Sequence, residues 1–127
     1  MHEAILYDAS LIGTSVAFGC GVCHHGLAYH PLFLYAATAS VLFRSYRLLA
    51  GKAGESMPFH PLHVHDLVVA CATLVVALRV LPHVRVRLVA ASLLMLLAHA
   101  LPPESRRSRT LHAAGHACVV AAAWRAP

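Results

Sequence analysis

Acidic side chains are scarce in this chain: five stand among 127 residues, and charged groups of both signs reach only 12%. Apolar residues make up 59%, and the mean hydropathy is positive. That balance goes beyond what the core of a small soluble domain requires, so a water-soluble single domain is the first reading to fall. A basic leader is missing too, since Glu3 and Asp8 occupy the stretch where a secretory signal carries its cations, and the N-terminus is expected to stay with the working chain. Aromatics amount to 7% and nowhere interleave with a basic stripe, which excludes a nucleic-acid surface. The net charge of +5 is instead assigned to cations that flank apolar helices and meet lipid phosphates. Of four cysteines, Cys71 and Cys118 lie within apolar runs, so no disulfide framework is implied.

What the chain has in place of charge is long apolar runs. Five stretches, 4–22, 31–49, 63–81, 86–101 and 110–125, approach the roughly 20 residues that an α-helix needs to cross a bilayer. The last two are the shortest. Pro31, Pro58, Pro61, Pro82, Pro102 and Pro103 fall at the proposed boundaries, where a missing N–H costs least. The expected fold is therefore all-α: residues 1–127 as a single integral membrane domain, a polytopic bundle of four or five transmembrane helices. With five crossings, Arg44, Arg47, Lys52, Arg106, Arg107 and Arg109 gather on the side of the N-terminus, called the basic side below, whereas Arg79, Arg85, Arg87 and Arg125 lie toward the other. The positive-inside rule makes the basic side cytoplasmic or matrix-facing. Small-residue faces built from Gly13, Ser15 and Gly19, and from Ala36, Ala37, Ala39 and Ser40, suit close contact between the first two helices.

Eleven histidines are the other excess. On this map His24, His25, His30 and His83 fall on the far side, and His60, His63, His65, His99, His112 and His116 on the basic side. From His65 to His83 a helix rises about 27 Å, close to the hydrocarbon thickness. Imidazole pairs near both faces of a bilayer suit the axial bonds of haem iron, which offset the cost of burying the rings. Neighbouring antiparallel helices would pair His30 with His83, and His65 (or His63) with His112 (or His116). Zinc is the competing ligand, because His112 and His116 share a helical face and His60, His63 and Asp66 could complete a tetrahedron. Cys20-Gly21-Val22-Cys23-His24 also fits C-x-x-C-H, the covalent attachment sequence of c-type haem.

Each of these residues also has a plainer account. Histidine at a helix end caps or snorkels, small polarizable cysteine packs well in apolar surroundings, and Asp66 suits the positive end of a helix dipole. Tyr35, Tyr46 and Trp124 suit interface anchoring. Asp8 and Arg44 are placed to pair across the first two helices.

The run from His30-Pro31-Leu32 to Tyr46-Arg47, a following helix that opens with spaced histidines, and Leu111-His112-Ala113-Ala114-Gly115-His116 together resemble the ascorbate-dependent transmembrane cytochrome b family over residues 28–124. That resemblance implies a four-helix core holding two b haems, one ligated by His30 and His83, the other by His65 and His112. Met57-Pro58-Phe59, ahead of an apolar helix ending Val80-Leu81-Pro82, is similar to the second helix of the small three-helix core subunit of NADH:ubiquinone oxidoreductase, with Leu78-Arg79 where that family carries an acidic pair. This second likeness implies a cofactor-free structural subunit of a quinone-linked complex. The spacing of His112 and His116 on a last helix is similar to the progestin-receptor-like and alkaline ceramidase superfamily, and implies a zinc-dependent intramembrane hydrolase. The expectation drawn from all of this is a small multi-pass subunit of a respiratory or electron-transfer complex, at most a subunit of an oxidoreductase. Its membrane would be the mitochondrial inner or bacterial plasma membrane. Its partners would be the lipid bilayer, other membrane subunits and quinone, and its cofactor haem b, with zinc or no cofactor as the alternatives.

Overall fold

A computed structural model describes residues 2–25, 30–53, 55, 57, 59–102 and 105–125; the side chains of His2, His25, His30, His83 and Arg125 lie outside the described set. Five α-helices follow one another: α1 (His2–His25), α2 (His30–Leu49), α3 (Pro61–Val80), α4 (Arg85–Ala100) and α5 (Arg106–Arg125), with a 3₁₀ turn at Pro82–Val84 between α3 and α4. Among the described residues there is no strand, and each expected apolar stretch falls on one helix.

The helix ends have local causes. α2 stops at Gly51, whose φ of +68° lies in the left-handed region that glycine enters freely. There the Lys52 N–H donates to Arg47 O at 2.8 Å and the Gly51 N–H to Leu48 O at 3.2 Å, the paired bonds of a Schellman stop. α3 starts with Pro61 in its first turn and with His60 as N-cap, whose Nδ1 accepts the Leu62 N–H at 3.2 Å. At α5 the Ser105 hydroxyl oxygen accepts the Ser108 N–H at 3.2 Å, satisfying one of the orphan donors of that terminus.

α1 packs between α2 and α5, α4 lies along α5, and α3 lies along α2. The helices thus form a ring whose weak seam is between α3 and α4. Those two meet through Ala77, Leu81, Val84 and Leu88, near the turn that joins them. The same residues, with Val22, Phe33, Ala122 and Ala123, form an apolar plug at the far end of the ring. Burial of a side chain the size of Phe33 contributes about 2–3 kcal/mol there. The small-residue faces of α1 and α2 meet, with Ser15 Oγ 3.1 Å from Ser40 Oγ.

Among the described residues two helical segments are long and apolar enough to cross a membrane, Glu3–His24 and Pro61–Val80. α4 has 16 residues, and α2 and α5 are diluted by arginine and other polar side chains. α3 is the barest helix, presenting Val64, Leu67, Val68 and Val75 outward, while α4 presents Val86, Val89, Leu93, Leu96 and Leu97.

Candidate functional site: an interhelical cavity walled by histidine

Inside the ring is a cavity of about 520 Å³. Its floor is the apolar plug, through Phe33, Leu81, Leu88, Ala122 and Ala123, and its middle is walled by Phe18, Leu74, Met95 and Val119. Toward the basic side the wall becomes polar, with Arg44 from α2, His63 and Asp66 from α3, His99 from α4, and His112 and His116 from α5.

Each imidazole is held differently. His112 and His116, four residues apart and so on one face of α5, have ring centroids 4.9 Å apart. The Tyr7 hydroxyl of α1 lies 2.9 Å from His112 Nδ1, and Thr14 Oγ1 lies 3.3 Å from His116 Nδ1. His99 stands 5.8 Å from His112, and its Nδ1 donates to Met95 O at 2.7 Å. His63 packs against Phe43, with centroids 4.9 Å apart. Fixing one ring nitrogen by a neighbour while the other is left for a ligand is the arrangement by which histidine is oriented at binding sites.

Three polar atoms of cavity-lining residues are buried without a hydrogen-bond partner: Arg44 Nε, His63 Nδ1 and Thr73 Oγ1. A buried polar atom left unsatisfied costs about 1–3 kcal/mol, so three around one cavity are an uncommon concentration.

Arg44 belongs also to a charged cluster at the basic end of the bundle. The fully buried Asp8 lies 3.3 Å from Arg47 Nε through Oδ2 and 3.8 Å from Arg44 Nη1 through Oδ1. Phe43 spreads its ring under both guanidinium groups, at 5.0 Å from Arg44 and 5.4 Å from Arg47. Tyr7 lies 5.9 Å from both Arg44 and Arg109. Two cations thus bear on one carboxylate, and the surplus positive charge faces the cavity through Arg44.

The residues singled out from the sequence are distributed as follows. His63, His112 and His116 line the cavity, and His99 joins them. His65 does not: it is on the exposed face of α3, where its Nε2 lies 2.5 Å from the Tyr35 hydroxyl. His65 and His112 are therefore not brought to one cavity, and on α3 it is the alternative, His63, that shares a wall with α5. The side chains of His30 and His83 lie outside the described residues. His60 caps α3 and packs on Tyr46 at 4.7 Å. Cys20 and Cys23 are exposed beside a shallow groove between α1 and α2, and His24 lies 5.3 Å from Trp124. The C-x-x-C-H string runs along an uninterrupted helix. Among the described residues no three His, Cys, Asp or Glu side chains converge on a position for a metal ion.

Tyr7, Thr14, Arg47 and Thr73 were not marked by the sequence. The proximity of Tyr7 to Asp8 and the one-turn spacing of Arg44 and Arg47 were the available signals. No protein-family model matches the chain, and neither the curated proteins nor the solved structures contain a detectable match.

Proposed function

We propose that this chain is a small multi-pass membrane subunit of an electron-transfer assembly, and that its cavity holds the head group of a quinone. The observation that carries this reading is the set of orphaned polar atoms, Arg44 Nε, His63 Nδ1 and Thr73 Oγ1, around a space whose floor and middle are apolar. A ligand that suits such a space is mostly apolar and bears a few oxygen atoms, which describes a quinone ring and its tail. The scant contact between α3 and α4 leaves a seam through which the tail reaches lipid. The bare valine and leucine faces of those helices favour burial in a bilayer, by the same logic that makes large exposed apolar patches rare on soluble monomers. An energy-transducing membrane, mitochondrial inner or bacterial plasma, is where such a subunit and its quinone would work. Neighbouring membrane subunits would cover the rest of these faces.

A second reading is kept for one observation: His63 of α3 faces the same cavity as His112 and His116 of α5. Such imidazoles, carried by two helices that run the same way on opposite walls of one cavity, would take haem b, with His63 in the place expected of His65.

Both readings are tested on protein purified from its native membrane in mild detergent. Organic extraction followed by chromatography should return about one quinone per chain, and Arg44→Leu should lower that yield severalfold. A reduced-minus-oxidised spectrum with b-type bands would transfer the site to haem. With neither quinone nor haem bands, the electron-transfer reading falls.

A further inference from the structure

We infer that His99, His112 and His116 form a proton relay between the cavity and water at the basic side of the bundle, serving a quinone bound inside; this rests on the quinone reading above. His99 stands in the last turn of α4, where its ring is exposed and at the same time lines the cavity. Its Nδ1 proton is held by Met95 O, so Nε2 is the nitrogen that takes up a proton from outside. His112 follows at 5.8 Å, ring centre to ring centre, and His116 at a further 4.9 Å. Separations of this size are spanned by a hydrogen bond between ring nitrogens or by one bridging water. The step from His112 to His116 is one helical turn, about 6 Å deeper along α5.

Imidazole suits the task because it accepts a proton on one nitrogen and releases one from the other. That exchange requires that no neighbour pin the ring in one tautomer. The Nδ1 atoms of His112 and His116 meet hydroxyl groups, Tyr7 at 2.9 Å and Thr14 at 3.3 Å, and a hydroxyl donates or accepts as the ring demands. Past His116 the same face of α5 presents Val119, Val120 and Ala123, which carry no proton, so the row ends inside the cavity. The other charged and titratable groups of the wall, Arg44, His63 and Asp66, are carried by α2 and α3, across the cavity from α5. Reduction of the bound quinone takes two electrons from reduced haem or iron–sulfur centres of the assembly and two protons through the relay. Each proton enters at His99, moves one on along His112 and His116, and forms an O–H bond on a quinone oxygen, so that hydroquinone leaves.

The test uses the full chain in detergent, loaded anaerobically with 2-decyl-1,4-benzoquinone and mixed in stopped flow with methyl viologen radical cation, a one-electron donor that releases no proton. Loss of the radical's colour follows the electrons, and a pH indicator in weakly buffered solution follows the protons. In the native chain protons should follow electrons without delay. In His112→Ala the first electron should arrive at the native rate while proton uptake slows by about a hundredfold, the low end of what a positioned proton-transfer group contributes. Free imidazole should restore it. His99→Gln, a change at an exposed position that leaves the packing intact, should slow proton uptake severalfold. A fault of folding or of binding slows both traces together and is not restored by imidazole. His60→Ala, which alters only the cap of α3, should behave as the native chain does. Undelayed proton uptake in both His112→Ala and His99→Gln overturns the inference and leaves the quinone reading standing. Failure of the native chain to take up the quinone removes that reading and the relay with it.

Discussion

A single histidine at a helix end is ambiguous, and among the described side chains several resolve by which nitrogen is already engaged. His60 uses its Nδ1 on the Leu62 N–H, so it is a cap. His60→Ala should lower stability by about 1 kcal/mol in thermal unfolding and leave ligand binding unchanged. The spacing of His112 and His116 was legible, because i and i+4 always share a face. The choice between His63 and His65 was not. Both stand in the first turns of α3, and the rotation that turns His63 inward is set by its packing on Phe43, a contact between distant residues. The partners of the α5 imidazoles, Tyr7 and Thr14, are more than 100 positions away in the chain. Asp8 and Arg44 were legible as a pair, but Arg47 makes it a triad with surplus positive charge. The charge count orders two substitutions. Asp8→Asn leaves two buried guanidinium groups without a carboxylate and should cost about 3–5 kcal/mol in thermal unfolding. Arg47→Met keeps the Asp8 carboxylate paired with Arg44 and should cost clearly less.

At the scale of the element, the chain states its helices almost outright. Proline at 31, 61 and 82 and glycine at 51 mark boundaries by what each backbone can and cannot do, and the apolar runs fill the spans between them. The start of α5 lay before the expected 110, because arginines 106, 107 and 109 read as loop while Ser105 caps a helix that includes them. How close two helices come is less visible. At Gly115 a Cβ would stand 2.7 Å from Met95 Cγ and 3.2 Å from Ala91 O, so α4 and α5 touch nearly backbone to backbone. A methyl group already forces Met95 to turn about its Cα–Cβ bond and crowds the Ala91 carbonyl, and a larger side chain presses on both further. Gly115→Val should therefore destabilise by about 1–3 kcal/mol, and Gly115→Ala by less, in the same unfolding assay.

For the whole molecule, the all-helical architecture was written in composition and periodicity, whereas the order of the ring was not. Nothing in the apolar runs says that α1 would separate α2 from α5, or that α3 and α4 would part after their turn. The outward face of α3 makes a direct prediction about surroundings. A spin label at Val75→Cys, with the four native cysteines replaced by serine, should in lipid vesicles be far more accessible to oxygen than to a polar nickel chelate. The reverse order would remove α3 from the bilayer. The eight-residue apolar plug has a consequence for traffic. A proton or small polar solute that arrives among the imidazoles finds no hydrophilic way onward past Phe33, Leu81 and Ala122. It must go back the way it came, so among the described residues the cavity is a pouch and not a conduit, and the far end of the bundle stays closed to polar traffic.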